Sequence, residues 1–118
     1  MMEQDWPRPV VYFEIQARDA DSLSQFYKEM FNWNIGDGFI RQIPAGIGGP
    51  ENGIGGHMRA GDKPGVTLFI QVKDLEASQQ RAVELGGKKT SDRFDIPGAA
   101  SIAGIEDPEG NPITLVQQ

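Results

Sequence analysis

The sequence predicts an α+β fold in which one strand–helix unit is used twice, the two halves sharing one sheet system. Val11–Glu29 reads VYFEIQARDADSLSQFYKE and Val66–Glu84 reads VTLFIQVKDLEASQQRAVE. Superposed, Val11 meets Val66, Ile15 meets Ile70, Gln16 meets Gln71 and Asp19 meets Asp74. Each copy shows the same order of alternating strand, acidic turn and helix, and the second copy begins at about half the chain length.

Composition narrows the class. At 118 residues the chain is expected to be a single domain, with one module over about residues 9–60 and another over about 65–118. There is no cysteine, which excludes disulfides, thiolate chemistry and Cys-ligated metal sites. The net charge of −6 and the lack of a basic cluster argue against nucleic acid as a partner. That charge weakly favours cationic small ligands, and it also serves solubility. No apolar run is long enough to span a bilayer, and MMEQDWPRP has no basic region followed by an apolar one. The expectation is a cytoplasmic protein without a membrane partner.

In chain order, Met1–Pro9 reads as an irregular arm, with Trp6 available to cover a partner surface. Val10–Gln16 is the first strand. Val11, Phe13 and Ile15 point to the core, and Tyr12, Glu14 and Gln16 point to water or a polar cleft. Asp19–Asp21 caps a helix whose buried stripe is expected at Leu23, Phe26, Tyr27 and Met30, ending near Phe31–Asn34. Phe39–Ile43 suggests a strand. Pro44–Gly56 is rich in glycine but lacks the Lys-Ser/Thr ending of a phosphate loop, so a flexible hairpin or lid is expected. Ile54–Met58 starts a further strand, and Ala60–Gly65 links the halves.

Val66–Val72 is the cleanest strand, with Val66, Leu68, Ile70 and Val72 facing the core and Thr67, Phe69 and Gln71 facing the other way. Asp74 caps the second helix, whose expected stripe is Leu75, Ser78, Ala82 and Leu85, and Gly86–Gly87 ends it. Lys88–Phe94 is expected to be a short strand, followed by a turn at Pro97–Gly98. Ala99–Ile105 and Pro112–Gln117 form a hairpin over Asp107-Pro108-Glu109-Gly110, which has the residues that a type I turn favours. Asp19, Asp74 and Asp107 are therefore structural caps rather than catalytic acids. No serine sits in a nucleophile elbow.

The strand VVYFEIQARD, the helix SLSQFYKEMFNW, the stretch VTLFIQVKDLEAS…ELGGK and the closing GIEDPEGNPITLV together resemble the vicinal oxygen chelate superfamily. This superfamily includes glyoxalase I, extradiol dioxygenases and bleomycin-resistance proteins. The resemblance implies two βαβββ modules with sheets curled around a shared cleft, and commonly a homodimer. It also implies metal-ligand positions at Tyr12, Thr67 and Thr114, and one around His57–Arg59. Tyrosine and threonine are poor donors to a catalytic divalent ion, which prefers imidazole or carboxylate.

The residues that remain define the functional expectation. His57 is the single histidine and cannot make a metal triad alone. Its alternatives are metal ligation with Glu14, or a loop or strand residue bonded to backbone or water. Glu14 is the candidate catalytic residue, as a general base if burial raises its pKa. The alternatives are that the cleft is open and wet, that Glu14 pairs with an arginine such as Arg41 or Arg59, or that it binds a cation or hydroxyl. Tyr12 and Phe69, by strand phase, with Trp33 and Phe39, for which the core is an equal alternative, are candidates for an aromatic wall, and Tyr12, Glu14, Gln16, Trp33, Thr67, Phe69 and Thr114 for ligand binding. The expected function is binding of a small organic ligand, with a cationic one favoured by charge. No metal or other cofactor is expected, as in the bleomycin-resistance type. The alternatives are a lyase, isomerase or dioxygenase using His57 and Glu14 with a divalent metal or Glu14 alone as base, and an interaction domain whose cleft its dimer partner fills.

Overall fold

The alternating residues of the first copy form strand β1 (Val10–Ala17), which leads into helix α1 (Ala20–Phe31). The computed structural model describes residues 6–44 and 53–117. Strands β2 (Arg41–Ile43), β3 (Gly56–Ala60) and β4 (Gly65–Gln71) follow, then helix α2 (Leu75–Glu84). Strands β5 (Lys88–Lys89), β6 (Phe94–Asp95), β7 (Ser101–Glu106) and β8 (Pro112–Gln117) complete a mixed α+β chain. Most of the glycine-rich stretch, Ala45–Asn52, lies outside the described residues, so the expected hairpin or lid lies there too. Among the described residues no helix is long and apolar enough to cross a membrane. The chain divides into two compact units. One is Val11–Leu68, and the other joins the segment up to Val10 with the chain from Phe69 onward.

In the first unit β1 and β3 run parallel, with Glu14 opposite His57, Ile15 opposite Met58 and Gln16 opposite Arg59. β2 runs antiparallel along the other edge of β3, placing Gln42 opposite His57. Because side chains alternate along a strand, Ile15, Ala17 and Met58 share one face and are buried together with Ala20, Ile35 and Ile43. Gly56 has no substitute at its position, since a Cβ there would overlap the backbone oxygen of Phe13 and press on its ring.

Helix α1 begins as expected. Asp19 is the N-cap and accepts from the Ser22 N–H at 3.1 Å. Asn32 ends the helix in the left-handed conformation, φ 58°, which asparagine tolerates better than most residues. The buried stripe is rotated from the expected one. Ala20 and Ser24 are the buried residues, and Leu23 and Tyr27 are half-buried. Phe26 and Met30 are 55% and 63% exposed. The small residues let the helix approach β3 closely enough for the Ser24 hydroxyl to reach the Met58 sulfur at 3.4 Å. Phe26 and Met30 are too large for that face.

In the second unit β7 and β8 form the expected antiparallel hairpin, Ala103 opposite Leu115 and Gly104 opposite Thr114. Asp107 closes the turn. Its carboxylate accepts from the N–H groups of Glu109 and Asn111 at 2.9 and 3.0 Å, and its carbonyl accepts from the Gly110 N–H at 2.9 Å. The expected strand Lys88–Phe94 is broken into β5 and β6, which pair with opposite ends of β7. Between them the Thr90 N–H still donates to the Gly104 carbonyl at 3.0 Å, and side chains supply further bonds. The Gln79 amide donates to the carbonyls of Ser91 (2.6 Å) and Gly104 (3.0 Å), and the Ser91 hydroxyl accepts from the Gly104 N–H at 2.8 Å.

Two core assignments change here. Gln79 is buried on α2, whereas Leu85 is 61% exposed. Val66 and Leu68 are exposed rather than in the core. α2 packs on β5, β7 and β8. β4 runs from the first unit into the second, and the buried end of this stretch is Val72, which joins Leu75, Ala103 and Leu115. Leu75→Ala is expected to cost about 2–5 kcal/mol in urea unfolding through the cavity it leaves. Leu85→Ala is expected to change stability by about 0.5 kcal/mol or less.

Candidate functional site

The polar face of the first unit follows from strand alternation and the parallel register. Tyr12, Glu14 and Gln16 leave β1 on the side opposite Ile15 and Ala17. His57 and Arg59 leave β3 on that same side, His57 beside Glu14.

These side chains form one connected network. The Tyr12 hydroxyl lies 2.8 Å from His57 Nδ1, and His57 Nε2 lies 2.9 Å from Glu14 Oε1. Arg59 Nε donates to the same Glu14 oxygen at 2.7 Å, and its Nη2 lies 3.4 Å from Oε2. The side chains of His57 and Glu14 are only 13% and 14% exposed. The hydrogen bond from His57 is the largest influence on Glu14. With help from Arg59 it outweighs the opposing effect of burial and lowers the carboxyl pKa from an ordinary 4.5 to about 2. Glu14 thus takes the ion-pair alternative, with Arg59 as partner. A carboxylate held this low is a weak base and does not have the raised pKa expected of a buried catalytic one. Burial pushes the Tyr12 phenol up from its usual 10, the nearby Glu14 charge adds to this, and a hydrogen bond from Gln42 opposes it.

The proton positions follow. An ionised carboxylate only accepts, so His57 Nε2 carries the proton that it shares with Glu14. In the neutral ring Nδ1 is then an acceptor, and the Tyr12 hydroxyl donates to it. Both imidazole nitrogens are engaged within the protein.

The divalent metal implied by the superfamily does not fit this donor set. His57 would have to release Tyr12 or Glu14 to bind it, and the phenol is held neutral. The remaining implied positions, Thr67 and Thr114, are hydroxyls. Among the described residues no group of three or more His, Cys, Asp or Glu could hold a metal ion.

Gln16 is committed to the β3–β4 connection, where its Oε1 accepts from the Lys63 N–H at 2.8 Å. Trp33 is not on this face. It stacks on Tyr27 with centroids 5.1 Å apart and planes 7° from parallel, and lies 6.2 Å from Phe13, on the helix side of β1. The turn at Asn32 folds it back onto the core. Phe39 is exposed. Thr67 belongs to the first unit, whereas Phe69 and Thr114 belong to the second, all half-buried. Gln42 was the residue that sequence reasoning missed. It sits on a short strand whose register beside His57 no local pattern reveals.

A family model described as "Glyoxalase-like domain" matches residues 12–116. A glyoxylase-like domain-containing protein of Didymella fabae is 29% identical over 108 residues, covering 83% of this chain and 84% of that one. The CFP32 protein of Mycobacterium bovis, whose name assigns it provisionally to the glyoxylases, is 27% identical over 118 aligned positions. That match covers 90% of this chain, which spans 44% of the relative's length. Among solved structures, a glyoxalase/bleomycin resistance protein/dioxygenase superfamily member from Vibrio splendidus superposes with a TM-score of 0.66 at 14% identity. It covers 95% of this chain and 100% of that one.

The lowered Glu14 pKa sets a pH dependence. As pH falls, the unfolded chain takes up this proton first. The stabilisation is therefore complete above the ordinary value of 4.5 and is lost as pH drops towards about 2. Glu14→Gln is expected to be less stable than the parent near neutral pH by on the order of 2 kcal/mol, after allowing for solvent around Arg59. Urea unfolding should show that difference shrinking as pH falls through the same window.

Proposed function

The chain belongs to the glyoxalase-like domain family, within the vicinal oxygen chelate superfamily, and on that premise we propose that it binds a small organic ligand on the Tyr12–His57–Glu14–Arg59 face without a catalytic divalent metal. The observation that carries this reading is the single imidazole of the chain, held through Nδ1 by Tyr12 and through Nε2 by Glu14. A ring held at both nitrogens has no uncommitted lone pair to give a metal. The network instead presents the Arg59 guanidinium, whose further N–H groups suit a carbonyl or hydroxyl oxygen, and the Tyr12 oxygen, which with its proton committed to His57 can accept from a ligand hydroxyl.

The charge of this face refines the ligand class. Glu14 is offset by Arg59, so the face does not hold an uncompensated anion for a cation to seek. The net charge of −6 acts from elsewhere on the molecule and is screened beyond about 10 Å at moderate salt. A neutral, oxygen-bearing ligand fits better than a cationic one. This departs from the simple analogy with bleomycin-resistance proteins.

A second reading draws on the 2.9 Å contact between His57 and Glu14. A carboxylate that fixes the tautomer of an imidazole is an arrangement used for acid–base relays, and Tyr12 supplies a phenolic proton at the other nitrogen. A metal-free isomerase or lyase would use His57, with Glu14 as its orienting partner.

Thermal denaturation with a mixed panel tests the binding reading. A neutral carbonyl or hydroxyl compound should raise the Tm, because binding the folded state stabilises it. Tyr12→Phe should reduce that shift. Zinc, manganese and nickel ions should produce none. A divalent ion that stabilises the parent but not His57→Ala would overturn the metal-free assignment. A panel without any stabilising organic compound would overturn the binding role.

A further inference from the structure

The helix side of the first unit holds a second concavity. Ile15, Leu23, Phe26, Tyr27, Pro64 and Val66 contribute its apolar walls, and its volume is about 510 Å³. That is the size of a small-molecule pocket. The mutual burial expected of such residues is incomplete, since Phe26 and Val66 are each more than half exposed. Exposed apolar surface gathered around a concavity is a feature of ligand-binding grooves.

Gln16, Arg18, Asp19 and Ser22 are the polar part of the lining, and Arg18 sets the ligand. Arg18 and Asp19 line the pocket side by side. The Asp19 carboxylate is directed into the start of α1, one oxygen accepting from the Ser22 N–H at 3.1 Å and the other from the Ser22 hydroxyl at 3.0 Å. Arg18 is exposed, and among the described residues it makes no hydrogen bond or ion pair. The lining therefore offers a guanidinium whose donors are open, next to an acid each of whose oxygens already accepts from Ser22. A guanidinium meets a carboxylate through two parallel hydrogen bonds.

We infer that this pocket binds a small amphipathic monocarboxylate, its alkyl or aryl body against Leu23, Phe26 and Val66 and its carboxylate on Arg18. Tyr12, Glu14, His57 and Arg59 are absent from its lining, Ile15 and Ala17 lie on the face of β1 opposite Tyr12, Gln16 lines it as well, and the inference is independent of the function proposed for the polar network.

Isothermal titration with 4-phenylbutanoate, 4-phenylbutan-1-ol and 4-phenylbutylamine tests it. The acid should bind about tenfold more tightly than the alcohol, since a charge-assisted pair outweighs a neutral hydrogen bond, and the amine should bind most weakly. Arg18→Gln, at an exposed position, should remove the acid's advantage, and Arg18→Lys should restore part of it. Val66→Glu, also exposed, should abolish binding. Tyr12→Phe should keep the acid's affinity, and loss in that variant would place the acid in the polar network and overturn the inference. Equal affinities for acid and alcohol, or no effect of Arg18→Gln, would overturn it as well. So would a dimer in sedimentation that Val66→Glu dissociates and the acid does not, because a second copy of the chain would then occupy this surface.

Discussion

The carboxylate of Glu14 is the point on which the polar face of the first unit depends. It lies between an imidazole and a guanidinium, and both donate to the same oxygen. Removing that charge would leave Arg59 without its acceptor and His57 without the partner that fixes its tautomer. An unpaired polar group in so enclosed a place costs more than the pair contributes when formed. The parallel register of β1 and β3 makes this possible, by setting Glu14 and His57 opposite one another.

The same register joins packing to chemistry. The face that carries Tyr12, Glu14, His57 and Arg59 has behind it the core of Ile15, Ala17 and Met58. The strands cannot shift by one residue without exchanging these two sets. The close approach at Gly56 under Phe13 adds a steric restraint to the same pairing. The network is thus positioned by backbone rather than by loops, which suits a site that holds a ligand in one orientation.

Much of the fold was legible because it is local. Caps at Asp19 and Asp74 and the turn at Asp107–Gly110 are set by side chains bonding to backbone a few residues away, and each appears where the sequence places it. The helix faces were harder. Leu23 and Tyr27 fit two adjacent stripes, one completed by Phe26 and Met30 and the other by Ala20 and Ser24. Only the distance to β3 decides between them. Gln79 was hidden for a similar reason, since its carbonyl partners come from Ser91 and Gly104, far along the chain. In the site, Tyr12 and Glu14 followed from strand phase, and Arg59 was among the named partners for Glu14. The link from Tyr12 to His57 required the pairing of distant strands. Trp33 takes the core alternative, because a left-handed residue at Asn32 turns the chain after α1.

The account rests on the state of one imidazole, and nitrogen NMR of the His57 side chain reads that state directly, because the chain has a single histidine. At about pH 8, where an ordinary histidine is neutral, the ring should carry its proton on Nε2, with Nδ1 accepting a hydrogen bond. Equimolar zinc should leave both signals in place. A proton on Nδ1, or ring signals that move with zinc, would contradict the account and return His57 to the role of a metal ligand.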